Sequence, residues 1–217
     1  DSNGDGCGDF RGVAEKVDYL KSLGVNVVWL MPFNKTDSYH GYDVTDYNDV
    51  CKDYGTMDDF NYMMNTLHDN GIKVVMDLVV NHTSKNHQWF KDSNKKSGSG
   101  KYKDYYVWND GTQAIPSVQT MLWTWSFNRG ARYYSCFNGN MPDLNYQNKD
   151  VWNEVDSVAD FWLDKGIDGF RLDGAMHIDD TINSGKLHVD DKEGSVTHEW
   201  WQHFENHVKE KNPNAFC

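Results

Sequence analysis

This sequence has no long apolar run and little cysteine. No stretch approaches the roughly 20 consecutive apolar residues that a membrane-spanning helix needs, so no transmembrane segment is predicted. The four cysteines form no Cys-x-x-Cys pair, which argues against a structural zinc site. One or two disulfides are left open, because the spacing does not fix a pairing. The cysteines are Cys7, Cys51, Cys136 and Cys217.

Basic residues are also in deficit, with 21 Lys and Arg against 33 Asp and Glu and a formal net charge of −12. Nucleic acids and anionic membranes bind to basic surfaces, so this balance argues against both as partners and favours a neutral or cationic ligand. Hydrophobic residues make up 38% of the chain, enough for a core. The aromatic residues, 14% of the chain, can fill that core, and exposed rings can form platforms for the apolar faces of sugars.

Helix and strand patterns alternate along much of the chain. In each of three units, apolar residues at helical spacing are followed by a short apolar run that reads as a buried strand. The helix patterns cover residues 10–23, 56–70 and 150–165, and the strand runs cover 25–31, 72–80 and a segment that ends at 173. This alternation predicts an α/β fold with parallel strands covered by helices.

Residues 83–147 interrupt the alternation. A loop rich in Lys, Ser and Gly is followed by an aromatic, turn-rich region, and neither has a long helical period. Structureless loops of this length are uncommon in compact domains, so we expect an inserted β-rich subdomain. The expected division of the chain is 1–82, 83–147 and 148–217, with a last helix at 199–211 and a further strand starting at Ala215.

The most informative motif is residues 169–177, Gly-Phe-Arg-Leu-Asp-Gly-Ala-Met-His, at the end of the third strand run. Arg171 and Asp173 are two positions apart, and side chains at i and i+2 on a strand share a face. A guanidinium beside a carboxylate favours its ionised form, which suits a nucleophile rather than a proton donor. The motif therefore predicts one half of a catalytic pair of carboxyl groups.

Polar residues also follow the earlier strands. Residues 77–82, Asp-Leu-Val-Val-Asn-His, close the second strand run, and residues 39–43, Tyr-His-Gly-Tyr-Asp, follow the first. In parallel α/β barrels the carboxyl ends of the strands build the active site, so these segments and Asp173 are expected on one rim. Residues 141–145, Met-Pro-Asp-Leu-Asn, read locally as a turn before the third helix.

The first nine residues have the composition of a loop that binds a hard cation. Side-chain oxygens alternate with glycines, and position 7 offers a backbone carbonyl. The expected ligands are Asp1, Asn3, Asp5, the Cys7 carbonyl and Asp9. An EF-hand needs a bidentate Glu at position 12, where this chain has Gly12. The alternative is a loop of Asx turns that binds nothing.

The segments at 39–43, 77–82, 141–145 and 169–177, in this order, resemble the α-amylase superfamily, glycoside hydrolase family thirteen. The resemblance covers nearly the whole chain. It implies a (β/α)8 TIM barrel. Of that barrel this chain would hold about strands two to four and the start of strand five, with the inserted subdomain after strand three.

The resemblance also implies roles for individual residues. Asp173 matches the catalytic nucleophile and Arg171 its partner, while His82 and Tyr42 match residues that hold and stack the sugar at the cleavage subsite. The remaining matches are His40 as a further sugar contact, Asp77 as a structural acid bridging to the arginine, and His177 as a substrate or metal neighbour.

A metal is implied in two places. The loop at 1–9 is similar to the metal loop of the oligo-1,6-glucosidase-like branches, with calcium as the expected ion and magnesium as the alternative. In many amylases a different calcium site uses the residues that match Asn81 and His177, which are therefore alternative ligands.

The implied reaction is double displacement with retention, in which Asp173 attacks the anomeric carbon and an acid protonates the leaving oxygen. The family's acid is a Glu at the end of strand five, where this chain stops, and Glu193, Glu199 and Glu205 are not expected to replace it.

The chain begins without Met, so we expect an internal piece of a longer protein. Alone it should be inactive, since the donor is missing and half a barrel leaves open sheet edges.

The expected substrate is an α-glucan, starch or maltooligosaccharide, cut at internal α-1,4 bonds. The alternatives are a neopullulanase, cyclomaltodextrinase or oligo-1,6-glucosidase type and, from another class, a non-catalytic glucan-binding homologue. An adhesion module built on a calcium loop would need a second such loop, which this sequence lacks. By analogy with enzymes that act on polymeric starch, the expected location is extracellular, with the cytoplasm as the alternative.

Overall fold

The computed structural model describes residues 1–115, 117–179 and 194–217. Helices α1 to α6 in these ranges span Phe10–Glu15, Val17–Ser22, Met57–Asp69, Gln88–Ser93, Lys149–Asp164 and Val196–Lys211. Strands β1 to β8 span Val27–Leu30, Asn34–Thr36, Val44–Val50, Lys73–Val79, Trp108–Asn109, Trp123–Ser126, Ala131–Tyr134 and Gly169–Asp173. None of the described helices is both long enough and apolar enough to cross a bilayer.

Three strands form a parallel sheet in the order β1-β4-β8, as the helix and strand alternation predicts. The register pairs Val27 with Lys73 at one boundary and Val79 with Asp173 at the other. A fourth strand begins beside β8, because the Phe216 amide donates to the Asp168 carbonyl at 2.9 Å. Successive strands therefore add to the same side of the sheet, and the fold is part of a TIM-type barrel.

Helix α3 follows directly from its sequence. Thr56 accepts a hydrogen bond from the Asp59 amide, while the Asp59 carboxylate accepts from the Thr56 amide, which completes a capping box. The apolar face of the helix is buried under the sheet; it comprises Phe60, Met63, Met64 and Leu67. The predicted bounds were 56–70, and the observed ones differ by one residue at each end.

The prediction of one helix over residues 10–23 was wrong. Lys16 leaves the helical region, with φ −96° and ψ 8°, and separates α1 from α2. Helix α1 buries Phe10 and Ala14, whereas α2 buries none of its side chains. The apolar spacing continues across the break, so periodicity alone did not show it.

Trp162 on α5 is the packing centre that joins this sheet to a hairpin. Its ring is fully buried against Phe33 and Phe60, with ring centroids at 5.1 and 5.3 Å. Its Nε1 donates to the Tyr47 carbonyl at 2.8 Å. Tyr47 lies on β3, which pairs antiparallel with β2. The sequence analysis did not predict this hairpin, because its strands are polar and depend on Trp162 for burial.

The inserted region carries a three-stranded antiparallel sheet in the order β5-β7-β6, as its composition indicates. Helix α4, which has six residues, packs on this sheet through Phe90 and was too short to predict. Isolated bridges from His82 to Asp143 and from Tyr106 to Leu144 tie the insertion to the end of β4. The sequence leaves one or two disulfides open, but all four cysteines are free in the structure, so it contains no disulfide.

We expect Thr56→Ala to lower the free energy of unfolding by about 1 kcal/mol, because it removes the cap of α3. Urea denaturation followed by circular dichroism measures this change. Thr66→Ala is the matched control, since Thr66 is half-buried on the same helix and its hydroxyl bonds only locally, to the Tyr62 carbonyl. Its effect should stay within about 0.5 kcal/mol. Equal losses in the two variants would contradict the assigned cap.

Candidate active site

One guanidinium joins two carboxylates at the carboxyl end of the parallel sheet. Arg171 and Asp77 are register partners on β8 and β4, so their side chains share a face. Arg171 Nη1 donates to both oxygens of Asp77, at 3.1 and 3.0 Å, and to Oδ1 of Asp173 at 2.5 Å. The shared face of Arg171 and Asp173 that the i, i+2 spacing predicts is present.

The two carboxylates differ in burial. The Asp77 side chain is 0% exposed, whereas that of Asp173 is 19% exposed. Burial raises the pKa of Asp77, and the hydrogen bonds from Arg171 only partly oppose this rise. Asp77 therefore serves as a buried anchor for the guanidinium, while Asp173 keeps an accessible face for chemistry.

The loop before β3 folds over these groups. The Tyr42 hydroxyl donates to Asp77 Oδ2 at 3.3 Å, and the Tyr42 amide donates to His40 Nδ1 at 3.1 Å. The His40 and Tyr42 rings are stacked at 6.1 Å. Gly41 has φ +81°, and a Cβ there would lie 2.4 Å from the Pro32 carbonyl oxygen. Only glycine lets this loop approach so closely.

His82 is held neutral beneath this loop. It is 1% exposed, and burial lowers its pKa to about 4. Its Nε2 lies 3.1 Å from the Tyr42 carbonyl oxygen, and its Nδ1 lies 3.3 Å from Asn81 Nδ2. A carbonyl can only accept, so Nε2 carries the proton and Nδ1 accepts from the amide. The imidazole thus fixes the position of Tyr42.

Phe137 is a site residue that the sequence analysis missed. Its ring lies 5.0 Å from that of His82 and 5.6 Å from that of His177, and it is partly exposed. It belongs to the insertion, which the bridge between His82 and Asp143 brings over the strand ends. In the sequence, only the closeness of Phe137 to the motif at 141–145 indicated a place at the site, and that motif by itself predicts no more than a turn.

His177 lies beside Phe137, whose ring it meets edge-on. It closes a short 3-10 helix after Gly174, and its Nδ1 lies 3.4 Å from Cys136 Sγ. Asn81 is buried nearby; its Nδ2 donates to Asp143 Oδ2 at 3.2 Å, whereas its Oδ1 has no hydrogen-bond partner. A buried amide oxygen beside a carboxylate suits a hard cation.

The loop at the start of the chain is folded by its own oxygens. Asp1 accepts from the amides of Gly4, Asp5 and Gly6, and Asp9 caps α1 and accepts from Ser2. Within the described ranges, no three acidic, histidine or cysteine side chains are gathered to hold a metal ion. The acidic members of the expected ligand set, Asp1, Asp5 and Asp9, are not gathered into such a group. Metal binding by Asp1, Asn3, Asp5, the Cys7 carbonyl and Asp9 stays a prediction.

No glutamate takes the role of proton donor in the part of the chain that the structure describes. Glu199 and Glu205 are exposed on α6, which packs on the core through Trp200, Phe204 and Val208. Glu193 lies outside the described residues. The site therefore consists of a nucleophile candidate, its arginine and the rings of His40, Tyr42 and Phe137 beside them.

Known proteins are similar to this chain over its whole length. The family model of the α-amylase catalytic domain matches residues 1–217. Alpha-amylase 3 of Dictyoglomus thermophilum is 43% identical over 216 residues, which cover 100% of this chain and 40% of that protein. An oligo-1,6-glucosidase of Parageobacillus thermoglucosidasius is 47% identical over 180 residues, which cover 80% of this chain and 32% of that protein.

A solved structure is also similar to this chain. An α-amylase from H. orenii matches with a TM-score of 0.83 at 41% identity, covering 98% of this chain and 43% of that chain. The chain therefore belongs to the α-amylase catalytic-domain family, glycoside hydrolase family thirteen. It spans about a third to two fifths of the length of these relatives.

Two buried histidines should make the protein sensitive to acid. Burial lowers the pKa of both His82 and His87 to about 4. Between pH 6.5 and 4 the two histidines bind protons in the unfolded chain but not in the folded chain. The free energy of unfolding therefore falls as the pH falls through this window. From pH 7 to pH 4.5 each histidine should account for about 2 kcal/mol of this loss.

Urea denaturation of His82→Gln and His87→Gln at both pH values tests this expectation. Each variant should lose about 2 kcal/mol less than the wild type on acidification, whatever its stability at pH 7. Identical acid losses in the wild type and both variants would show that neither histidine is held neutral.

Proposed function

We propose that this protein is a retaining glycoside hydrolase that cuts internal α-1,4 bonds of α-glucans such as starch and maltooligosaccharides. The observation that carries the proposal is the shared arginine: Arg171 holds buried Asp77 and accessible Asp173 at the ends of adjacent strands. Membership of the α-amylase family supports the substrate class.

In the proposed reaction the Asp173 carboxylate attacks the anomeric carbon as the glycosidic C–O bond breaks. Arg171 holds the Asp173 carboxylate in position, because Arg171 is itself fixed by its hydrogen bonds to Asp77. A second carboxyl group, at roughly 5 to 5.5 Å from the nucleophile, protonates the leaving oxygen and then activates the water that releases the sugar. Tyr42 and His40 present stacked rings to the sugar.

The bond specificity divides the relatives. Both an α-amylase and oligo-1,6-glucosidases are close to this chain in sequence. The product profile of the full-length protein on starch, pullulan and isomaltose tests the α-1,4 preference, and cleavage of isomaltose without cleavage of starch would overturn it. Secretion remains a prediction tied to this preference, since polymeric starch lies outside the cell.

A non-catalytic glucan-binding protein is the second candidate. It would have no need of a nucleophile, yet Asp173, Arg171 and His82 are all present and the first two are paired. This arrangement favours catalysis.

Asp173→Asn should lower kcat of the full-length enzyme by at least ~10³-fold while leaving its unfolding curve largely unchanged, because the nucleophile is lost without a change in side-chain volume. Asp58→Asn, an exposed carboxylate on α3, is the control and should keep wild-type turnover. Substantial turnover in Asp173→Asn would disprove the assignment. Retention of the α-anomer, followed by NMR of the first product, tests the double displacement.

We also propose that calcium stabilises the protein, with magnesium as a weaker substitute. The buried Asn81 Oδ1 and the neighbouring Asp143 carboxylate support a site near His177, and the oxygen-rich loop at 1–9 is the alternative. Calcium should raise the melting temperature of the chelated protein. Loss of this rise in Asn81→Leu but not in Asp5→Ala assigns the first site, and the reverse assigns the loop. No rise with calcium would contradict both.

A further inference from the structure

The insertion carries an open groove that the proposed reaction does not use. It has a volume of about 440 Å³ and lies between α4 and the hairpin of β6 and β7. Two buried rings, Phe90 and Tyr133, pack at 4.9 Å at its base. Trp125 and Phe127 line it with 45% and 92% of their surfaces exposed. Large exposed rings grouped around a groove are a feature of binding surfaces.

The polar lining of the groove fits sugar hydroxyls. Three amides, those of Asn86, Asn94 and Asn128, both donate and accept hydrogen bonds. The charged residues that line it are Lys85 and Lys91, and among the described residues no carboxylate lines it, although the whole chain has a net charge of −12. A pyranose ring has an apolar C–H face that stacks on an aromatic ring and hydroxyls around its edge that need such neutral partners.

The ring platform is held in place before any ligand binds. Trp125 and Arg132 are cross-strand partners, and the guanidinium lies 5.8 Å from the ring centroid of Trp125. Arg132 Nη1 also donates to the Trp123 carbonyl at 3.2 Å, which fixes the guanidinium. The Phe127 ring lies edge-on to Trp125 at 6.4 Å. A fixed platform lowers the ordering cost of binding.

The groove is coupled to the loop of the active site. The Asn86 amide and the Ser84 hydroxyl both donate to Asp37 Oδ2 at 2.8 Å. Asp37 opens the loop that carries His40 and Tyr42. The groove and the cleavage site therefore share one supporting segment.

We propose that this groove is a second carbohydrate site, which binds glucose units of an α-glucan polymer on Trp125 and Phe127 while another part of the polymer is cleaved at Asp173. The identity of the sugar rests on the proposed function, whereas the presence of the ring platform does not depend on it. The site would hold long substrates and leave short ones unaffected.

Native gel electrophoresis of the full-length protein in gels containing amylopectin tests the proposal. The double variant Trp125→Ala with Phe127→Ala should lose retardation, with the dissociation constant rising about tenfold, equivalent to ~1.4 kcal/mol. Trp125→Phe should keep most of the retardation, because it retains a ring. Tyr62→Ala is the matched control, since Tyr62 is a 48% exposed ring on α3. Asp173→Asn should be retarded like the wild type.

Kinetics provide the second arm of the test. The double variant should hydrolyse a chromogenic maltotrioside at the wild-type rate but amylopectin more slowly. Wild-type retardation of the double variant would overturn the groove proposal, even if Asp173→Asn is inactive as expected. A wild-type protein that neither binds nor hydrolyses any α-glucan would overturn the proposed function as well, so the two failures are distinguishable.

Discussion

The bridge from Arg171 to Asp77 and Asp173 depends on the register of two parallel strands, and the rest of the site depends on that bridge. Asp77 and Arg171 face each other because β4 and β8 pair without a shift. A slip of one residue would turn both side chains to the opposite face. Buried Asp77 then needs the guanidinium, since an unpaired buried carboxylate is costly. Because Asp77 must be paired, it fixes the position of the Arg171 side chain. Arg171 in turn holds the nucleophile candidate, Asp173, in position.

A second set of contacts places the rings of the loop at 39–43 against this bridge. Tyr42 bonds to Asp77 through its hydroxyl and to His82 through its carbonyl, so the loop at 39–43 is tied to the end of β4 at two points. His82 can act in this way because burial keeps it neutral. The hairpin that carries the loop is held in turn by the hydrogen bond between Trp162 and Tyr47. Packing deep in the core is therefore connected to the position of Tyr42.

The sequence was sufficient where local rules apply. The strand ends at Asp77 and Asp173, the cap at Thr56 and the shared face of Arg171 and Asp173 follow from periodicity, capping and the two-residue repeat of a strand. These features need only neighbours along the chain. The resemblance to a known family then assigns the residues at the strand ends to one reaction, which the spacing alone does not do.

What the sequence did not show depends on distant partners. The β2 and β3 hairpin is polar, and its burial comes from Trp162, more than 100 residues away. Phe137 reaches His82 only because residue 143 bridges to it from the insertion. The loop at 1–9 has the composition of a cation site, but its carboxylates accept from their own backbone amides. Composition fixed the atoms available and left their partners open.

The insertion links the two proposed carbohydrate sites. One of its segments places Phe137 over the strand ends, and its sheet holds Trp125 on the groove. Both segments belong to one unit, since Tyr134 on β7 accepts a hydrogen bond from the Asp143 amide, and Asp143 bridges to His82. A polymer bound at Trp125 would therefore be held by the sheet of the same unit that carries Phe137. Because this sheet is fixed to the barrel at the end of β4, a change in the insertion can alter how long substrates bind while the arginine bridge, which lies on β4 and β8, keeps its geometry.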